Sequence, residues 1–467
     1  MYKGFIVIKV FNHWFHWKTV LQISLDLLLP VACVAVAVLA IGKDGSASLD
    51  KAVIFAMIFA LAMILLNGLL GFYRRVHSRT VAQSQARALV SLCLAVPLAY
   101  LLFRGLATQD MNEELILLSG LTALFGTMAY RLYLSHNNSS ASVLSHRVLI
   151  FGAGAEAESV GAVLRKSDPD IQIMGFYPSP TDAETTVPPG ALVSRERLLS
   201  DVAQDLKVNE IIVAVRERRG GVLPLRELLD CKLSGVRVLD LASYFERALG
   251  QIRLDSLRVG WLIFGEGFRQ GPLRTLVKRV FDIVASLILL VLSLPIMLVT
   301  AILIVLEDGA PVLYRQERVG LNGRLFKVIK FRSMRNDAEH DGKPRWATQN
   351  DDRITRVGRV IRKLRIDELP QLFSVLVGEM SLVGPRPERP YFVDQLTRDI
   401  PFYAVRHSVK PGVTGWAQVN YHYGASVDDS LQKLQYDLYY VKNHSLFLDL
   451  VVLFETVGVV LTGKGAH

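Results

Sequence analysis

Cysteine is nearly missing from this chain: Cys33, Cys93 and Cys231 are the three in 467 residues, far apart and never in a C-x-x-C spacing. Neither a disulfide framework nor a thiolate zinc site is expected from that. Histidine is equally scattered. His422 and His444 stand well apart and read as surface or capping residues, not as a metal set. Charge is scarce along several long stretches. With 51% hydrophobic residues and a mean hydropathy of +0.32, the chain reads as a membrane protein before any motif is considered.

Four apolar runs, about Leu21–Ile41, Ala52–Tyr73, Ala88–Phe103 and Leu115–Leu134, approach the length that crosses a hydrocarbon core of roughly 30 Å. The third is short and carries Pro97. Asp26 lies inside the first run, where an acid is expensive, so it either sits near the boundary or faces another helix. Lys3, Lys9 and Lys18 precede the first run, and Arg74, Arg75, Arg79 and Arg87 separate the second from the third. The positive-inside rule places both basic regions in the cytoplasm. The chain then returns to the cytoplasm near Ser135. No small-residue cleavage site follows the first run, so a retained helix is expected and not a signal peptide. The net charge of +10 fits a protein on anionic lipid that handles phosphorylated substrates. Nucleic acid is the competing partner, and it is set aside because much of the charge flanks apolar segments.

From His146 the pattern changes to alternating strands and helices, with HRVLIFGAGAEAESVGAVLRKS followed by IQIMGFY and EIIVAV. A Rossmann-like parallel sheet is expected to about Leu241. Gly152, Gly154 and Ala157 form a G-x-G-x-x-A turn, which either brings a pyrophosphate to a helix start or only serves a tight strand-to-helix connection. The second strand ends in Tyr177-Pro178-Ser179-Pro180, without the acid that would bind a ribose hydroxyl. Arg216, Arg218 and Arg219 read as a solvated edge.

A fifth long apolar run, Ile283–Leu306, is interrupted by Pro295 after Ser293 and Leu294. A true crossing would put everything after it outside the cytoplasm, so a re-entrant helix with its break at Ser293 and Pro295 is expected, with a fifth crossing as the alternative. Leu446–Leu461 is apolar but contains Asp449 and Glu455, and is placed at the interface.

The most informative stretch is Arg362–Pro387, RKLRIDELPQLFSVLVGEMSLVGPRP. Asp367 is expected at a helix N-cap with Glu368 in the first turn, and Pro370 is tolerated there because a first-turn N–H lacks a helical partner. A phosphoryl group at such a place would meet free amides and a helix dipole, and a carboxylate beside it serves as nucleophile or holds a divalent cation. Standing alone, DELPQL would be an ordinary acidic cap. It does not stand alone: Tyr314–Met334, YRQERVGLNGRLFKVIKFRSM, lies upstream, and Lys410–Asn420, KPGVTGWAQVN, downstream.

Together with Arg362, Asp367, Glu368 and the GPRP of Gly384–Pro387, these strings resemble the bacterial sugar transferase family of polyprenyl-phosphate hexose-1-phosphate transferases. The resemblance covers about Arg274–His467, and the four helices before it look like the large membrane members. It implies an enzyme of exopolysaccharide biosynthesis that moves a sugar-1-phosphate from a UDP-sugar to undecaprenyl phosphate and releases UMP. Asp367 is implied as the nucleophile that carries the phosphosugar. Mg²⁺ is the implied cofactor, on Glu368 by motif position. Arg362 is implied at the lipid phosphate, Arg386 is suited to fork onto phosphate, and either has a surface ion pair as its alternative. Gln316, Arg318, Lys330 and Arg332 are expected on the wall of the nucleotide site, and Lys410 and Gln418 around the PGVTGW turn. Trp416 there is either a ring at the interface or core.

The expected architecture is membrane α plus α/β. Residues 1–140 form a four-helix transmembrane bundle, 141–250 a Rossmann-like domain of regulatory or assembly role, 251–273 a linker, and 274–467 a monotopic catalytic domain with a re-entrant helix over 276–306. The expected location is the bacterial inner membrane, multi-pass, with the catalytic domain cytoplasmic and a homodimer as its oligomeric form. A non-catalytic scaffold or sensor would let the catalytic motif decay, whereas DELPQL, GPRP and PGVTGW are all intact. A membrane-bound nucleotide-sugar dehydratase would need a Tyr-x-x-x-Lys after the glycine turn, and none follows it. Nothing in the sequence names the sugar.

Overall fold

The computed structural model describes residues 7–10, 13–41, 49–70, 72–73, 81–107, 113–137, 146–167, 171–180, 182, 185–215, 223–254, 267–268, 271–335, 353–421, 424 and 426–462. Arg216, Arg218, Arg219 and His422 lie outside them. The chain divides into two compact units, and the main division falls between Ala248 and Leu249.

In the first unit, four helices come before the sheet: α1 (Trp17–Ile41), α2 (Leu49–Leu69), α3 (Val81–Ala107) and α4 (Glu113–Asn137). Each holds a stretch long and apolar enough to cross a membrane. α3 continues through Pro97 and is longer than its apolar run, with Arg104 exposed near its end and Arg87 donating to Leu70 O (3.2 Å) in its first half. α1 and α3 each pack on both α2 and α4. Phe55, Phe59, Met63 and Phe103 fill the shared core beside Ala95 and Ala99, whereas Leu39, Leu101 and Leu117 point outward. Leucine outside and small residues inside is the arrangement lipid favours, since apolar contact with lipid costs nothing and helices gain by close approach. Asp26 faces inward and is 1% exposed. Its carboxylate accepts from Tyr73 Oη (2.9 Å) and Tyr130 Oη, and pairs with Arg131 Nη2 at 3.7 Å.

The sheet of this unit is four-stranded and wholly parallel, in the order Ile171–Tyr177, His146–Phe151, Glu210–Val213, Arg237–Asp240. Its two central strands are almost entirely buried, as a sheet covered on both faces requires. Gly152 takes φ +123°, and a Cβ there would lie 2.7 Å from Ala214 O, so the tight turn alone accounts for this glycine. The next amide, Ala153 N, donates to Asp182 Oδ2 (2.8 Å), and Ser179 N donates to the same oxygen (2.7 Å). The chain's own carboxylate thus closes on the glycine turn.

The second unit is entered by the helix Pro272–Asp308, which has Pro295 in its interior. Helical structure is unbroken there, which corrects the expected helix–break–helix at Ser293 and Pro295. Proline removes one N–H only, the one that would have reached Val291 O, and Ser293 Oγ donates to the neighbouring Leu290 O (3.3 Å). Both ends are tied to the same folded segment. Arg279 donates to Val375 O (2.6 Å) and Leu376 O (2.7 Å), and the Glu307 carboxylate accepts from Arg356 N (2.7 Å) and Val357 N (2.9 Å).

The Tyr314–Met334 region is an antiparallel hairpin, Leu313–Val319 against Leu325–Phe331. Ser381–Val383 pairs in parallel with Gly412–Thr414, which joins the GPRP and PGVTGW segments. Beneath them the helix Val427–Asn443 opens with a capping box between Ser426 and Asp429 and buries Leu434, Leu438 and Tyr439 completely. Helix Leu446–Thr462 puts Leu448 and Val452 into the same core. Its Asp449 is satisfied by Lys278 (2.8 Å) and Tyr440 Oη (2.6 Å), which explains an acid within an apolar run. Trp416 is core: its ring is buried and its Nε1 donates to Gly250 O (2.9 Å).

Candidate active site

The DELPQL segment lies between two short helices, Arg356–Lys363 and Gln371–Val377. Thr355 caps the first through Gly358 N (2.9 Å). Arg365 then takes the left-handed conformation at φ 60°, uncommon for a residue with a side chain, and reverses the chain into a single 3₁₀ turn, Ile366–Glu368. Asp367 is therefore not the N-cap of the following helix. That place belongs to Pro370, and the amides of Glu368, Leu369, Leu372 and Phe373 are already bonded to carbonyls of the turn. The expected ring of free helix amides is thereby corrected: positive charge around Asp367 comes from side chains.

Asp367 and Glu368 are both buried, at 8% and 7% exposure, and are treated very differently by their surroundings. Glu368 Oε1 accepts from Arg386 Nη2 (2.7 Å) and Lys330 Nζ (3.1 Å), with Arg365 Nη1 at 3.9 Å. Burial opposes its ionisation, but Arg386, Lys330 and Arg365 together override that and hold its carboxyl well below the usual range. Asp367 makes no hydrogen bond or ion pair with any described residue. Burial, then the charge of Glu368, pushes its carboxyl up to about 6, against the pull of Lys330, Arg386 and Arg362. The structure thus brings Asp367, Glu368, Lys330, Arg362 and Arg386 together around one pair of carboxylates.

The other expected site residues are placed differently. Arg318 donates to Gln316 Oε1 (2.6 Å) and to Pro387 O (3.1 Å), so it braces the GPRP segment. Arg332 caps the long helix, donating to Asp308 O (2.9 Å) and Gly309 O (2.6 Å), a task that takes its guanidinium away from a nucleotide wall. Lys410 is half-buried, and burial and then Arg279 lower its ammonium below the usual range. Gln418 Oε1 is buried without a hydrogen-bond partner among the described residues.

The motif glycines have a common cause. A Cβ on Gly384 would lie 2.3 Å from Lys410 O, one on Gly412 2.1 Å from Gly384 N, and one on Gly415 2.2 Å from Gly384 O. Two backbone segments cross in contact there, and only glycine permits it. Two residues of the neighbourhood were not singled out from the sequence. Arg365 had a usable signal, standing three positions before Glu368. Arg406 had none, since nothing local marks an arginine whose partners are distant.

The family model for bacterial sugar transferases matches residues 273–463. A UDP-N-acetylgalactosamine-undecaprenyl-phosphate N-acetylgalactosaminephosphotransferase of Aeromonas hydrophila is 47% identical over 242 residues, 52% of this chain and 56% of that protein. The UDP-glucose:undecaprenyl-phosphate glucose-1-phosphate transferase of Escherichia coli (strain K12) is 41% identical over 196 residues, 41% of this chain and 42% of that one. A sugar transferase of Bacillus subtilis (strain 168), EpsL, is 43% identical over 190 residues, 41% of this chain and 90% of its own length. The chain thus spans about half the length of the first two relatives and nearly all of the third. With the motifs, the carboxylate pair and these matches in agreement, the chain belongs to the bacterial sugar transferase family.

Proposed function

We propose that this protein transfers a sugar-1-phosphate from a UDP-sugar to undecaprenyl phosphate, as the first step of an exopolysaccharide unit. The observation that carries this reading is the division of labour in the carboxylate pair: Glu368 is held by three cations while Asp367, beside it, has no hydrogen bond or ion pair with any described residue. Asp367 Oδ attacks the sugar-linked phosphorus, the P–O bond to the uridylyl group breaks, and UMP leaves with that oxygen. An oxygen of undecaprenyl phosphate then attacks the same phosphorus, the acyl phosphate bond breaks, and the carboxylate is restored. One anhydride replaces another, so neither step needs an oxidant or a net proton. Arg386, Lys330 and Arg362 bind and orient the phosphate oxygens, and their charge counters the build-up on them.

The donor set fits Mg²⁺ held jointly with a diphosphate, because Mg²⁺ keeps waters and takes only one or two carboxylates. It does not fit an all-protein cage, since no group of three or more His, Cys, Asp or Glu side chains gathers among the described residues. Glu368, with its second oxygen, would hold the ion, which when bound neutralises diphosphate charge.

The two polar ties of the long helix, at Arg279 and at Glu307, support a re-entrant path, since a crossing would put one of them on the far side of a core roughly 30 Å thick. The catalytic part then faces the cytoplasm of an inner-membrane protein, in keeping with the basic residues flanking α1 and α2.

The test is UMP release by purified protein with Mg²⁺, undecaprenyl phosphate and a panel of UDP-sugars, comparing wild type with Asp367→Asn. Release with one donor that disappears in the variant supports the reading and names the sugar. Equal rates in the two proteins would remove Asp367 as nucleophile, and silence across the panel would overturn the reading.

A further inference from the structure

Four consecutive carbonyls, the last three of GPRP and that of Glu388 after it, are each held by a donor from elsewhere in the second unit. Gly412 N donates to Pro385 O (3.0 Å), Arg406 Nη2 to Arg386 O (2.9 Å), Arg318 Nη1 to Pro387 O (3.1 Å), and Val319 N to Glu388 O (3.0 Å). The prolines on either side of Arg386 fix φ as well. So fastened, the segment has one backbone course, and the Arg386 side chain leaves its middle to reach Glu368.

Arg406 is the unusual member of the set. It is 5% exposed and touches neither carboxylate of the site. Its Nη2 pairs with buried Asp437 at 2.7 Å, and its Nη1 donates to Tyr403 Oη (2.7 Å). A buried ion pair is a weak way to gain stability, and apolar side chains of the same volume often do as well. What an apolar residue cannot do is join Asp437, Tyr403 and the Arg386 carbonyl through one rigid fork.

We propose that Arg406 is a positioning residue: anchored by Asp437, it fixes the backbone of Arg386 so that the Arg386 guanidinium stays on Glu368 and Asp367 is left unbonded. Its catalytic consequence rests on the phosphotransfer reading above.

Arg406→Lys keeps the charge facing Asp437 but loses the fork. UMP release should fall about 100-fold, as expected when a reacting group is misplaced by about 1 Å. In an Arg386→Ala background the same change should cost nothing further, because its effect passes through Arg386. A merely structural role would give losses that multiply.

A second readout needs no turnover. Apparent Tm values for Arg386→Ala, Glu368→Gln and their double variant give a coupling between the two residues, which should be present in the wild type and vanish with Arg406→Lys. Should Arg406→Lys fail to fold, Tyr403→Phe, which deletes one hydroxyl partner of Arg406, is read through the same cycles with a smaller loss in the same direction. Multiplying losses, or a coupling that survives the change at Arg406, would overturn the proposal. If no donor yields UMP, the phosphotransfer reading falls, and the Tm coupling alone decides on Arg406.

Discussion

Arg386 Nη2 stands 2.7 Å from Glu368 Oε1, while Asp367, next to Glu368 in the chain, has no hydrogen bond or ion pair with any described residue. Two adjacent buried carboxylates cannot both be ionised cheaply. The cations resolve this by gathering on Glu368, so that its neighbour bears the cost as a raised proton affinity.

That arrangement fixes the pH dependence. As the proposed nucleophile Asp367 must be ionised to attack, and its carboxyl is pushed up to about 6 by burial and by Glu368. UMP release should fall as pH drops through 6, about tenfold per unit well below it.

Stability should run the other way at this residue. The folded state holds the Asp367 proton more tightly than the unfolded chain, whose reference value is 3.8. The favourable contribution is complete below that value and is lost as pH rises through about 6. Asp367→Asn should therefore be inactive yet more stable at pH 7, by about 1–3 kcal/mol. The gain should disappear below about pH 4, as read from thermal unfolding across pH.

Gly412→Ala places a methyl 2.1 Å from Gly384 N, backbone that cannot yield without moving the GPRP segment. A cost of about 3 kcal/mol or more is expected, with loss of activity. Gly190→Ala is the control, because a Cβ there meets nothing within 4 Å. Its apparent Tm should match the wild type.

Asp26→Leu should loosen α1 from α4 and from the chain after α2, because it strands Tyr73, Tyr130 and Arg131. Hydrogen bonds between membrane helices are worth about 1–2 kcal/mol at most, so a loss of roughly 2 kcal/mol is expected in detergent unfolding. Asp26→Asn keeps an acceptor and should lose about half of that.

Most of what repeats locally was legible in the sequence: four helices from long apolar runs, the parallel sheet from alternating strand and helix patterns, the hairpin from Tyr314–Met334. The carboxylate pair and its cations Lys330 and Arg386 were legible through motif resemblance. What failed was local geometry set by distant contacts. Asp367 read as an N-cap because Pro370 looks like a first-turn residue, but Arg365 in a left-handed conformation moves the helix start to Gln371. Arg332 read as a site residue because it stands two positions after Lys330, but the strand ends at Phe331 and Arg332 lies beyond it, where its guanidinium is taken by the carbonyls at the end of the long helix. Arg406 could not be found at all, since Asp437 and Arg386 meet it only in the folded chain.

The most direct measurement is mass analysis of the peptide containing Asp367 after the protein has met its UDP-sugar without undecaprenyl phosphate. Expected is one equivalent of UMP released and one phosphosugar on Asp367; undecaprenyl phosphate should discharge the phosphosugar while UMP release continues, and Asp367→Asn should show neither. UMP that forms only when donor and lipid are present together, with Asp367 unmodified, would mean direct transfer and would contradict the central role assigned to this carboxylate.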